Sequence, residues 1–273
     1  VQCGITWRAV IGRRPASADG GPAIVLAVQE GVSVSEQHSE MHCRPAAELL
    51  GDAAVLLRWE GAADDFLERL IPAVQRRIQG LCWRGVMDVV PGFESLTVCF
   101  DPRQCSGREL AALLERQAAS CEPVSDEDRL EYRISVRFSR EDSPDLEEVA
   151  GLAGLSVRGC IELLADCCFR VRMIGFAPGF PYLGGLPDSL RVPRLATPRR
   201  SVPAGSFAIA AGQAGFYPQS SPGGWRLLGR TERTLFDPLR APPGLLRAGD
   251  LVRIEPCGPL GVKGQSVSGA GRP

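Results

Sequence analysis

Lysine is nearly absent from this 273-residue chain: Lys263 is the only one among 31 basic residues, and it lies in the C-terminal tail. A Schiff-base or phosphate-loop lysine within the body is thereby excluded. Histidine is as scarce, with only His38 and His42, both ahead of the first periodic segment. No Ser-His or Cys-His nucleophile pair can therefore be assembled in the body. The ten cysteines contain no C-x-x-C spacing, which argues against a zinc site and for reduced thiols packed as small hydrophobes in a cytoplasmic protein. No apolar run approaches the roughly 20 residues that span a bilayer, and the short run from Ile24 to Val28 lacks the plan of a signal peptide. The formal net charge is -1, which removes bulk attraction to nucleic acid or to an anionic membrane.

What remains is an ordinary globular composition, 44% apolar and 23% charged, with length enough for two modest domains. Residues 1–43 have no helical or alternating period and begin with Val, so they read as a non-native or disordered extension, with translation starting at Met41. From residue 44 the pattern sharpens. Ala53 to Trp59 reads as a buried strand. Asp65 and Glu68 have the spacing of a capping box opening a helix that carries Phe66, Leu67, Leu70, Ile71, Val74 and Ile78. Val86 to Val90 and Leu96 to Phe100 read as strands around Pro91-Gly92, and Ser106 opens a second helix. Tyr132, Ile134, Val136 and Phe138 alternate with polar residues as a half-buried strand. Strand, helix, strand, strand, helix, strand is the split-βαβ, ferredoxin-like order, assigned to residues 44–138.

Residues 139–256 begin with two short helices: Ser143-Pro144-Asp145 supplies a cap, a first-turn proline and a first-turn acid, and Ser156 caps the second. Between Gly175 and Gly224, seventeen of fifty residues are Gly or Pro, yet aromatic and aliphatic residues are interleaved throughout. Short strands joined by such turns point to a β-barrel or sandwich with long ordered loops, an α+β chain as a whole. Residues 257–273 read as a flexible tail.

The chemistry-bearing stretches lie in this second part. Gly175-Phe176-Ala177-Pro178-Gly179-Phe180-Pro181-Tyr182 suits a rigid loop lining a pocket, or equally aromatic plugs at a barrel mouth. Arg194 and Arg199 sit on proline-stiffened chain where a guanidinium fork can hold carboxylate or phosphate. Gln213 and Tyr217 lie in GQAGFYP, and Ser221, Gly223, Gly224 and Trp225 in SSPGGW. Gly223-Gly224 can offer backbone N–H groups to an oxyanion or form a tight hairpin. Arg230 follows in LGRT.

These stretches, with VPRLATPRRSVPAGS, LLRAGDLVRIEP, GDAAVLLRW and VVPGFESLTVCFDP, resemble the family of the 5-oxoprolinase B subunit, also called KipI or allophanate hydrolase subunit 1. The resemblance runs from about Arg44 to Pro256. It implies a cyclophilin-like β-barrel as the second domain. It also implies ATP-dependent opening of the 5-oxoproline lactam to L-glutamate, with two partners: a C subunit, which is allophanate hydrolase subunit 2-like, and an A subunit. On that footing Arg199, Arg230 and Ser221 are the catalytic candidates. Arg194, Tyr182, Gln213, Tyr217, Gly223, Gly224 and Trp225 are the substrate-binding ones, and no metal ligand set is present. The chain has no Walker A loop, so ATP with Mg is expected on, or shared with, the partner. Related readings are a KipI-type protein inhibiting a sensor histidine kinase and a urea or amide carboxyltransferase component. Two departures stand out. The family's histidine and tyrosine in L-H-x-x-x-x-Y are Leu164 and Phe169 here, and the G-R-T-P turn is Gly229-Arg230-Thr231-Glu232.

Overall fold

The computed structural model describes residues 44–125 and 129–261. The extension over 1–43, its start at Met41, and the tail from residue 262 onward lie outside them. Strand β1 (Ala46–Leu49), β2 (Ala54–Arg58), helix α1 (Asp64–Gly80), β3 (Val86–Pro91), β4 (Ser95–Phe100) and α2 (Gly107–Ala119) come first. They form an antiparallel sheet of order β1-β2-β4-β3. Alternate strand residues Val55, Leu57, Leu96, Val98 and Phe100 meet the apolar stripes of α1 (Leu67, Leu70, Ile71, Val74, Ile78) and α2 (Leu110, Leu114, Ala118). With β4 between β2 and β3, β2-α1-β3 is the split βαβ unit expected.

The strand that completes this sheet is not the expected one. Position four belongs to β1, which precedes β2 in a hairpin pairing Ala46 with Arg58 and Leu49 with Val55. The strand expected there, β5 (Glu131–Arg137), instead runs parallel to β13 (Leu251–Cys257) in unbroken register from Glu131–Leu251 to Arg137–Cys257. Alternation fixes which face of a strand is buried and says nothing about which sheet receives it. Ile134, Val136 and Phe138 are buried in the barrel core, so the order seen is that of a ferredoxin-like sheet closed from its N-terminal side.

The barrel follows: α3 (Leu146–Leu152), α4 (Val157–Asp166), β6 (Phe169–Ile174), β7 (Pro181–Gly184), β8 (Arg199–Val202), β9 (Ser206–Ala210), β10 (Gln213–Phe216), β11 (Ser221–Gly223) and β12 (Arg226–Arg230). Seven strands close in the order β10-β7-β6-β13-β5-β12-β9, and β8 with β11 makes a separate ribbon. Phe169, Val171, Leu183, Phe207, Ile209, Phe216, Leu228, Val252 and Ile254 fill the interior. Leu146, Val149, Ile161 and Leu164 of α3 and α4 join the same core. Ser156 caps α4 as expected, accepting from the Gly159 N–H at 3.0 Å. Leu164 and Phe169, which replace the family's histidine and tyrosine, are both fully buried here and serve packing. Residues 257–261, assigned to the tail from sequence, belong to the described fold: β13 includes Cys257, and the Leu260 N–H donates to the Phe138 carbonyl at 3.1 Å.

Glu68 does not act as a helix cap. Helix α1 starts at Asp64 behind Ala63, with no side-chain cap bond. The Glu68 carboxylate instead points at the barrel, 3.6 Å from Arg170 and 3.5 Å from Arg172. It occupies the space that a Cβ on Gly184 would take. The carboxylate takes these two guanidiniums as partners in place of a local cap. Burial still pushes the Glu68 pKa above the usual range, against the pull of Arg172 and Arg170. Arg172 also lies 4.8 Å over the Phe93 ring at the β3–β4 turn. Pro72 of α1 abuts Gly249, whose φ of +94° and lack of Cβ permit the approach. No helix among the described residues is long and apolar enough to cross a membrane.

Candidate active site

An aromatic cluster sits on the outer face of the barrel. In β9, Phe207 and Ile209 point inward while the small Ala208 and Ala210 lie under the cluster; in β10, Ala214 and Phe216 point inward. Gly215 leaves room for Phe180, since a Cβ there would come within 3.0 Å of its ring. Phe180 is the hub, with ring centroids of Tyr182, Tyr217, Phe176 and Trp225 at 5.0, 5.2, 5.3 and 5.5 Å, all edge-on. Tyr182 also meets Trp225 at 5.8 Å and Phe93 of the first sheet at 5.6 Å. Each such edge contact contributes roughly 0.5–1.5 kcal/mol beyond burial.

Tyr217 connects this cluster to the ribbon. Its hydroxyl occupies the space a Cβ on Gly223 would need, and Gly223 pairs with Arg199 across β8–β11. Burial raises the Tyr217 pKa, opposed by the Trp225 backbone N–H and by the charges of Arg194 and Arg199. The phenol therefore stays protonated at neutral pH.

Arg199 is held from the other side by Asp145, with Nη2 2.7 Å from Oδ1, and its Nη1 lies 3.4 Å from the Trp225 carbonyl. The second Asp145 oxygen accepts from the Leu227 N–H at 2.7 Å. Asp145 is 6% exposed and sits at the N-cap of α3 without capping it, so its expected first-turn role gives way to a tertiary one. Arg194 is exposed on the 193–198 segment.

Tyr182, Tyr217, Trp225, Gly223, Arg199 and Arg194 are thus brought together. Gly224 adjoins them, with its carbonyl accepting from the Leu195 N–H at 2.8 Å. Ser221 lies on the same ribbon opposite Val202, and its hydroxyl is buried with no hydrogen-bond partner among the described residues. Gln213 and Arg230 are not joined to the cluster. Gln213 opens β10 opposite Ala210, at the end of the strand away from Tyr217. Arg230 donates from Nε to the Ala204 carbonyl at 2.9 Å and lies near Asp142, whose pKa is lowered chiefly by Arg137. Glu232, standing where the family has proline, pairs with Arg137 at 3.2 Å.

Sequence reasoning passed over Phe93, Asp145, Phe176 and Phe180 as site residues. The two phenylalanines of the 175–182 loop stood in a quoted motif, whereas Asp145 carries no local signal of its partner 54 residues away. A separate cavity of about 580 Å³ opens between α1 and the 242–250 segment, lined by Arg76, Arg129, Arg247 and Asp250. None of the expected site residues borders it. No group of metal-ligating side chains occurs among the described residues.

The sequence matches the family "Carboxyltransferase domain, subdomain C and D" over residues 45–246. The chain belongs to this family. Among its relatives in the carboxyltransferase C and D family is the 5-oxoprolinase B subunit of Bacillus subtilis, 37% identical over 224 residues, covering 78% of this chain and 93% of that protein. The 5-oxoprolinase B subunit of Escherichia coli O157:H7 is 39% identical over 213 residues, covering 76% and 94%. Among solved structures, TTHA0988 is 36% identical with a TM-score of 0.66 over 76% of this chain, which spans only 40% of that longer protein. Kluyveromyces lactis urea carboxylase, 17% identical with a TM-score of 0.63, covers 78% of this chain and 22% of its own, and shares the fold alone.

Proposed function

We propose that this chain is the B subunit of an ATP-dependent 5-oxoprolinase, which opens the 5-oxoproline lactam to L-glutamate together with C-subunit and A-subunit partners. The observation that carries the reading is the identity with two proteins named as 5-oxoprolinase B subunits across 93% and 94% of their lengths. The site chemistry supports it. A small cyclic amide bearing a carboxylate needs an apolar wall, a cation and a neutral hydrogen-bond donor. The aromatic cluster, the exposed Arg194 and the half-buried Tyr182 phenol are of those types. Arg199, already paired with Asp145, positions the ribbon and contributes less free charge than Arg194. ATP is a co-substrate whose hydrolysis drives the opening of a stable amide. With no Walker A loop in the sequence, we place it with its magnesium on, or shared with, the partner surface.

Co-expression with the candidate partner subunits, followed by a glutamate-release assay with and without ATP, tests this. ATP-dependent release that falls at least about tenfold in Arg194→Ala supports the reading, whereas a stable complex that releases no glutamate overturns it. The family match to a carboxyltransferase domain favours carboxyl transfer to an amide as the second reading. Bicarbonate-dependent carboxylation with a biotin carrier supplied in trans would then be the activity found.

A further inference from the structure

Phe176 has φ of +62°, a conformation in which a bulky residue is a genuine outlier, and yet its side chain is 63% exposed. The loop enforces it. The Ala177 N–H donates to the Gly175 carbonyl at 2.7 Å, the Phe180 N–H to Ala177 at 3.0 Å, and the Gly175 N–H to Phe180 at 3.1 Å. Gly179, at φ +79°, presses on Phe236, where a Cβ would come within 2.7 Å. Strained residues of this kind persist only where their surroundings over-determine them, and they concentrate at ligand sites. Folding alone does not account for the ring. It meets Phe180 and Tyr217 edge-on at 5.3 and 6.2 Å and leaves most of its surface in water, where apolar area gains nothing.

We propose that Phe176 is the substrate-recognition residue of the aromatic site, its exposed ring forming the open wall against which a small planar cyclic amide lies. The assignment rests on the 5-oxoprolinase reading and deepens it. Tyr217 and Phe180, each only 2% exposed, back the Phe176 ring from beneath and leave its outer face for the ligand. An open-chain amide covers less of that ring than a cyclic one, so the residue sets a preference for rings.

The test compares the reconstituted wild-type complex with Phe176→Gly and Phe176→Tyr. Glycine accepts positive φ without strain, so Phe176→Gly keeps the loop while removing the ring. The expected result is a KM for 5-oxoproline raised about tenfold in Phe176→Gly with kcat little changed, and about twofold or less in Phe176→Tyr. A KM for Phe176→Gly within about twofold of wild type overturns the assignment. So does loss of the partner subunits from Phe176→Gly on gel filtration, which would make the ring an interface anchor. If the wild-type complex releases no glutamate, the reaction reading fails by itself, and calorimetric titration with L-5-oxoproline decides Phe176. Binding about tenfold weaker in Phe176→Gly upholds the assignment; equal affinity, or no binding to wild type, sinks it.

Discussion

Asp145 makes the sharpest test of how the site is held. Its two oxygens accept from the Arg199 guanidinium and from the Leu227 backbone N–H, both at 2.7 Å. Leu227 is 4% exposed. Asp145→Ala therefore strands a buried amide, which costs about 1–3 kcal/mol. It also strips Arg199 of its counter-charge. That guanidinium is 28% exposed, so this loss lies between the surface value of about 0–1 kcal/mol and the buried value of about 3–5 kcal/mol. With the charge term at about 1–3 kcal/mol, the two together give about 2–6 kcal/mol, a fall in Tm of roughly 4–24 °C for a chain of this size. Asp145→Asn retains an acceptor for Leu227 and loses only the charge, so it should cost about half as much. Urea unfolding of wild type, Asp145→Ala, Arg199→Ala and the double variant gives the pairwise term, expected at about 1–2 kcal/mol. A coupling below about 0.5 kcal/mol, or Asp145→Asn as damaging as Asp145→Ala, refutes the reasoning.

Gly223→Ala puts a methyl group where the Tyr217 hydroxyl sits. It should destabilise by about 1–3 kcal/mol and impair turnover, whereas Gly151→Ala in α3, with open space around its Cβ, should not; equal Tm values for the two would contradict the packing described. Glu68 has a raised folded pKa, so its contribution to stability is full below its ordinary 4.5 and is lost as pH rises through the folded value. Thermal melts from pH 4 upward should accordingly show a flatter slope in Glu68→Gln than in wild type, whatever the absolute Tm, and parallel curves would count against the assignment. Burial pushes the Cys160 and Cys167 thiols up to about 11, while Cys82 is exposed. Iodoacetamide at pH 8 followed by peptide mass mapping should label Cys82 in the native protein and spare the other two until urea is added. Phe93→Ala removes the edge contact to Tyr182 and the platform under Arg172, which should lower stability by about 1–2 kcal/mol; an unchanged urea midpoint would argue that the contact carries no energy.

Local pattern is enough for the four helices, for strands such as β2 and β4, and for the α+β plan, because apolar period and caps are properties of neighbouring residues; the short strands β7, β8, β10 and β11 carry no such period. The Ser156 cap and the stripe from Leu67 to Ile78 are of this kind. What escaped depends on residues far apart in the chain. The alternation of β5 is as regular as that of a strand in the first sheet, and only its pairing with β13, 120 residues on, assigns it to the barrel. Short β1 carries the burial pattern of an exposed edge, so it offers little apolar signal. Glu68 stood three residues after Asp65, and nothing nearby announces Arg170 and Arg172. The site divides the same way. Tyr182, Tyr217, Gly223 and Trp225 lie together because Gly and Pro between aromatics constrain the chain locally. Gln213 and Arg230 belong to the same motifs, but Gln213 lies at the end of β10 away from Tyr217 and Arg230 donates to the Ala204 carbonyl.

The arrangement also changes what the first sheet is for. Residues 44–119 reach the aromatic cluster through a turn: Phe93 touches Tyr182, and Arg172 stacks on Phe93 while pairing with Glu68 and Asp64 of α1. A rotation of the sheet relative to the barrel would move Phe93 away from Tyr182, which in turn meets Phe180 and Trp225. The rigid barrel fixes Tyr217 and Phe180 from below, and the Asp145–Arg199 pair fixes the ribbon from the side. Tyr182 is the member of the cluster whose position answers to both parts of the chain.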